Sequence, residues 1–253
     1  MKSISIDINA DIGEGINNEL QLIPLLSSCN IACGGHAGDR ETMQRCVDLA
    51  LLHGVKIGAH PSFPDRDGFG RNHMVMPHDD LFQELQTQIN KLVEILARCD
   101  ELLHHVKPHG ALYNLAVKDK TIASVIVDVV KNTTGSPKLY VPNNSVIEDV
   151  AIEAGLSVVF EAFADRHYND DLTLVSRDKH NAIITNEKDM LNHVKGIIMS
   201  HKVSSLNGID IPITAETICV HGDTPKAVEL LKYLRHNLIN FGKDIKFLII
   251  TDF

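Results

Sequence analysis

No apolar stretch in the 253 residues approaches the length of a membrane span, and the N-terminus meets a carboxylate at Asp7, too early for a signal peptide. The chain holds no C-x-x-C pair, and its five cysteines are odd in number. A reducing, cytoplasmic setting is therefore expected. Basic patches are missing too. With 24 Lys and Arg against 33 Asp and Glu, the formal charge of −9 argues against a nucleic-acid surface. There is no GxxxxGK[ST] phosphate loop, no GxGxxG after a strand, no GxSxG elbow and no HExxH. Any nucleotide chemistry needs a partner or an atypical site. Repeats, low-complexity tracts and linkers are also absent, so residues 1–253 read as one domain.

What is present is an alternation of strand-like and helix-like segments. Strand character falls near 4–9, 29–33, 55–59, 103–107, 138–141, 156–160 and 216–220, with a further short run at 247–250. Helical spacing falls near 39–53, 78–102, 119–131, 144–154, 187–201 and 224–241. Asp39 is placed as an N-cap and Gly54 as a stop. Such alternation predicts an α/β fold with a parallel sheet, and seven or eight units favour a closed (β/α) barrel. Residues 61–77 and 164–186 are long, irregular connections of the kind that form lids or binding loops.

Nearly every strand-like run ends in acid, histidine or lysine, and in a parallel barrel those ends form one rim. Asp11 and Glu14 frame a glycine-rich turn after the first run; each serves as base, ligand or amine anchor, or simply ties the turn. His36 lies in Cys33-Gly34-Gly35-His36-Ala37-Gly38-Asp39, where the glycines allow close approach of a ligand. Cys33 itself is a weak nucleophile candidate. His60 precedes Pro61 and reads equally as structural or functional. Lys107-Pro108-His109-Gly110 is the sharpest local pattern: a lysine ending a buried strand is costly unless it meets an anion, or unless only its stem is buried. Tyr113 and Asn114 follow within one turn. Asp165-Arg166 offers a guanidinium for a carboxylate, and His221-Gly222-Asp223 offers a metal pair or a base with its orienting acid. The remaining histidines, among them His105 and His193, are assigned to solvent or helix faces.

Together the stretches 7–14, 30–39, 58–65, 68–71, 106–114, 163–166 and 220–223 resemble the LamB/YcsF family, in order, from about residue 4 to about residue 242. Gly35 stands where that family often has a bulkier residue, and the tail after Lys243 does not align. The resemblance implies a barrel related to the polysaccharide-deacetylase superfamily. It also implies an ATP-dependent 5-oxoprolinase, to which this family supplies the A subunit, converting 5-oxo-L-proline, ATP and water to L-glutamate, ADP and phosphate. Its subunits B and C are the implied partners. Catalysis is assigned to Asp11, His36, Lys107, His109, Asp165 and His221. Substrate binding is assigned to Glu14, His60, Arg71, Tyr113, Asn114, Arg166 and Asp223, with Arg71 entering through the resemblance alone. ATP is expected as its magnesium complex. No protein-bound transition metal is expected, because His221 and Asp223 are the only closely spaced ligand pair. Two alternatives stand beside this: a metal-dependent amide or ester hydrolase using Asp11, His36, His60 or His221, and a non-catalytic 5-oxoproline-binding subunit.

Overall fold

A computed structural model describes residues 4–241 and 245–247. In chain order the first strands are β1 (Ile4–Ile12), β2 (Ser28–Ala32), β3 (Lys56–His60), β4 (His105–Val106), β5 (Lys138–Pro142) and β6 (Val158–Phe163). A small antiparallel pair, β7 (Lys202–Ser204) with β8 (Asp210–Pro212), precedes β9 (Thr217–Cys219) and β10 (Ile245–Phe247). The strands β1 to β6 run in consecutive parallel order, β6 pairs with β9, and β9 pairs back onto β1 through Asp7–Thr217, Ile8–Ile218 and Asn9–Cys219. Seven strands therefore close the barrel, and β10 lies outside the ring, parallel to the start of β1. The predicted run 247–250 enters the described residues only at Phe247, where β10 ends.

The connecting helices are α1 (Glu19–Leu22), α2 (Arg40–Leu52), α3 (His78–Ala97), α4 (Gly110–Ala116), α5 (Lys120–Lys131), α6 (Val146–Glu153), α7 (Glu187–Ser200) and α8 (Ala227–Phe241). Asp39 caps α2 as its position predicts, its carboxylate accepting from the backbone N of Thr42 at 2.8 Å. The apolar stripe of α3, Leu81, Leu85, Ile89, Leu92 and Leu96, is buried against the barrel. Among the described residues, no helix is long and apolar enough to cross a membrane.

Two strands run further than expected, for one reason. β1 continues past Asn9 to Ile12, and β6 runs three residues beyond Phe160, through Glu161. Along β1 the side chains alternate: Ile6, Ile8, Ala10 and Ile12 join the apolar core, whereas Asp7, Asn9 and Asp11 are just as buried but belong to a polar network. A barrel of this class is usually filled by branched apolar side chains. Here it is filled by hydrogen bonds. Asn9 donates to Glu161 Oε1 at 3.0 Å and to Thr217 at 2.7 Å. Asn30 donates to Asn9 and to Asp11, both at 2.8 Å, and receives His105 Nε2 at 2.7 Å. Ser28 donates to Asp7 at 2.7 Å. His105, expected on a surface, is fully buried in this network and stacks on Tyr140 at 3.9 Å. Gly58 makes room for it, since a Cβ there would sit 2.1 Å from its Nε2. A polar group shielded from water is tolerable only when paired, so the network fixes the rim from below. His193, also expected on a surface, is mostly buried, with Nε2 donating to the Phe163 carbonyl at 3.0 Å.

Candidate active site

The floor of the site is Lys107, immediately after β4. Its Nζ lies 2.9 Å from Asp11 Oδ1, 3.0 Å from Glu161 Oε1 and 3.1 Å from Cys219 Sγ, and the side chain is 2% exposed. The amine thus meets carboxylates, and the solvated alternative is excluded. Burial disfavours its charge, but Asp11, Cys219 and Glu161 outweigh that and hold the ammonium well above the ordinary lysine value. Asp11 mirrors it: burial pushes the carboxyl up, while His60 and Lys107 hold it well below the usual range. Glu161 also accepts from Tyr113 Oη at 2.8 Å. The apolar run expected from the sequence ends at Phe160 and passes over Glu161, which the structure places inside β6. The alternation of β6 is the one signal that could have found it.

Above the floor, four residues from four different strand ends converge. His36 Nε2 lies 2.9 Å from Glu14 Oε1, His109 Nδ1 lies 2.9 Å from His60 Nε2, and the same Glu14 oxygen is 3.3 Å from His109 and 3.8 Å from His60. The rings of His36 and His109 stack at 3.7 Å. Burial holds His36 below, and His109 well below, the ordinary imidazole value. Among the described residues, His36 Nδ1 is the one buried side-chain nitrogen or oxygen without a hydrogen-bond partner. One donor atom from each of Glu14, His36, His60 and His109 fits within 4.8 Å, as a metal site requires; Asp11, Cys219 and His221 form a second such group. The closely spaced pair expected at His221 and Asp223 is not what forms, because loops distant in sequence supply the convergence.

On the wall, His221 Nδ1 lies 2.9 Å from Asp165 Oδ1, and the backbone N of His221 donates to Asp165 Oδ2 at 3.0 Å. Thr224 Oγ1 donates to the same carboxylate. Asp165 is wholly buried; burial raises its carboxyl, but His221 and Thr224 outweigh it and bring the value to about 2. The orienting acid of His221 is therefore Asp165. Asp223 instead accepts from Arg71 at 2.7 Å and from Arg177 at 2.9 Å. Arg177, inside the irregular stretch 164–186, carries no local pattern that marks it. Arg166 spends Nη2 on the Val175 carbonyl at 2.6 Å and Nε on the Ala182 carbonyl at 3.3 Å. It braces that loop while still lining the cavity. Cys33 is buried, its thiol donating to the Ile31 carbonyl and pushed up to about 12 by burial, which removes it as a nucleophile.

A pocket of about 50 Å³, lined by Asp11, Glu14, His60, Lys107, His109 and His221, shares the Arg71, Tyr113, Asn114 and Arg177 wall with an outer chamber of about 580 Å³. A parallel barrel with buried acids, a buried ammonium and convergent imidazoles on its carboxyl rim defines a barrel enzyme of acid–base or metal chemistry. Residues 6–250 match the LamB/YcsF family, and the chain belongs to it. The match extends past Lys243, where the motifs stop aligning. The chain is 40% identical over 237 residues to the 5-oxoprolinase A subunit of Histophilus somni strain 129Pt, covering 94% of this chain and 96% of that protein. Its fold matches the lactam utilization protein of Thermus thermophilus with a TM-score of 0.89 at 35% identity, over 99% of this chain and 100% of that one. The EF3048 protein of Enterococcus faecalis V583 shares the fold alone, at TM-score 0.58 and 12% identity over 98% of each chain.

Proposed function

We propose that this chain is the A subunit of an ATP-dependent 5-oxoprolinase, opening 5-oxo-L-proline to L-glutamate with hydrolysis of ATP to ADP and phosphate. The observation that carries this reading is the 40% identity, over nearly the full length of both chains, to a protein of that name. The site's chemistry suits it. A lactam is stabilised by amide resonance, so opening it at neutral pH needs activation of the carbonyl oxygen and a positioned water.

Lys107 supplies the fixed positive charge for the oxygen that becomes anionic or phosphorylated, preorganised by Asp11 and Glu161 rather than by water. His221, with Nδ1 held by Asp165, presents its other ring nitrogen as the base that takes a proton from water. Asp11, held anionic, fixes Lys107 instead of exchanging protons. Arg71 and Arg177, paired on Asp223 at the mouth, are the cations available to the substrate carboxylate or to phosphate oxygens. Tyr113 and Asn114 line the wall between pocket and chamber.

The sequence carries no phosphate loop, so ATP, as its magnesium complex, is handled together with subunits B and C. Glutamate and phosphate release from 5-oxoproline and ATP, measured for the chain alone and with both partners, tests this. Little turnover alone and coupled release in the complex is expected. Full activity of the isolated chain overturns the partner requirement, and no dependence of the complex on this chain overturns the function.

A further inference from the structure

His60 and His109 present a problem that water-free hydrogen bonding does not solve. His60 Nδ1 lies 2.7 Å from the Lys107 carbonyl, and His109 Nε2 lies 3.0 Å from the Phe69 carbonyl. A carbonyl oxygen only accepts, so both of those nitrogens carry their protons. In the neutral rings the other two nitrogens, His60 Nε2 and His109 Nδ1, are then bare lone pairs. They face each other at 2.9 Å, with Glu14 Oε1 3.3 Å from His109 Nδ1 and 3.8 Å from His60 Nε2, and with Asp11 Oδ2 3.4 Å from His60 Nε2. Three of these electron-rich atoms, Glu14 Oε1, His60 Nε2 and His109 Nδ1, lie within 3.8 Å of one another inside a buried site, and a positive charge among them, metal ion or proton, makes the arrangement favourable. Two of the three are tied by backbone carbonyls in the way that fixes the tautomer of metal-ligating histidines.

We propose that Glu14, His60 and His109 bind one divalent transition-metal ion of the zinc class, with His36 orienting Glu14. A tetrahedral ion with bonds of about 2.0–2.1 Å holds its donors about 3.3 Å apart, and the separations of 2.9, 3.3 and 3.8 Å bracket that value. Two imidazoles with one carboxylate favour zinc, cobalt or manganese over magnesium, which prefers oxygen and keeps its water. His36 holds Glu14 Oε1 at 2.9 Å, while its Nδ1 meets nothing; the ring is placed to steer the carboxylate rather than to be steered by a partner of its own. Three protein ligands leave a coordination position open toward the pocket that Lys107 and His221 line. An ion there would supply a Lewis acid and an acidified water beside the ammonium. The expectation of no transition metal rested on spacing along the chain and on a reaction needing metal mainly as Mg-ATP; the barrel supplies a convergence of ligands that the spacing did not.

The test uses the isolated full chain, stripped with a chelator and reloaded with Zn²⁺, Co²⁺ or Mg²⁺, and needs no turnover. Expected are about one zinc per chain by elemental analysis, visible absorption of four-coordinate Co²⁺, a raised unfolding midpoint with either ion, and no retained Mg²⁺. His109→Ala and Glu14→Gln should each retain less than a tenth of the zinc, the second preserving shape if the first misfolds. His36→Ala should weaken binding about 10–100-fold, and His78→Ala, on the surface of α3, should change nothing. Unchanged zinc content in both His109→Ala and Glu14→Gln overturns the proposal. So does loss of zinc in His221→Ala alone, which moves the ion to the Asp11–Cys219–His221 group. No retained zinc or cobalt at all means that His60 and His109 share a proton instead. None of these outcomes bears on the lactam reaction, so the two readings fail separately.

Discussion

Lys107 is where stability and chemistry meet. Its ammonium is sandwiched between two buried carboxylates, Asp11 and Glu161, neither more than 4% exposed. Lys107→Met keeps the stem but leaves both acids facing each other without their cation. Removing one partner of a buried pair costs about 3–5 kcal/mol, so a large drop in the urea midpoint is expected. Lys107→Met with Glu161→Gln removes one charge of each sign and should recover part of that loss. If the double variant is no more stable than the single, the ion triad is not what holds this floor together. Lys107 was legible in the sequence because it ends a buried strand, and so was the need for an anion. Which anion was not: Glu161 lies inside β6, where a carboxylate reads as the end of a strand until its neighbours across the barrel are known. The same limit hid Asn30 and His105, whose partners sit on adjacent strands.

The elements show a second kind of dependence. Gly35, marked in the sequence only as smaller than usual, lies against α3: a Cβ there would be 2.4 Å from Ser62 Oγ and 2.6 Å from the Gln88 amide. Gln88, fully buried on α3, accepts from Ser62 N at 3.0 Å and donates to the Ser62 carbonyl at 2.9 Å, latching the chain just after His60 and Pro61. Small glycine and long glutamine are thus one packing solution. Gly35→Ala should cost about 1–3 kcal/mol by overpacking, and Gln88→Ala in the same chain should relieve part of it. Thermal unfolding of the two single variants and the double variant reads the coupling; additive losses would mean that the two positions do not share that space. The six longer helices and the barrel strands were legible from their apolar spacing, whereas the short α1 and α4 were not. The β7–β8 pair was not, since three-residue strands carry no period to read. The course of 164–186 was not legible either, because Arg166, Tyr168 and the isolated bridges that organise it pair across the loop rather than along it.

At the scale of the whole molecule, several histidines are folded in the neutral state. Burial holds His104 and His193 at about 4, and pushes His105 and His109 well below their ordinary value. The unfolded chain takes up protons below about pH 6.5. Between there and pH 4 it therefore binds more protons than the folded state, and stability falls as pH falls. The contribution is present in full above pH 6.5 and gone below the folded values. Urea midpoints should drop steadily from pH 7 to pH 4.5, and His193→Gln should flatten part of that slope. A midpoint constant over this range would contradict the buried neutral state.

The barrel brings together, from six strand ends, groups that no local motif connects, and under the proposed function this assembly opens the lactam. The most direct measurement is coupled glutamate and phosphate release by the complex of this chain with subunits B and C, reconstituted with Asp11→Asn and with its assembly verified. Asn keeps the shape of Asp11 but removes the charge that fixes Lys107. Loss of that preorganised charge should lower turnover about 10²–10³-fold while the complex still assembles. Near-normal turnover in an assembled Asp11→Asn complex would place the chemistry elsewhere and contradict the account.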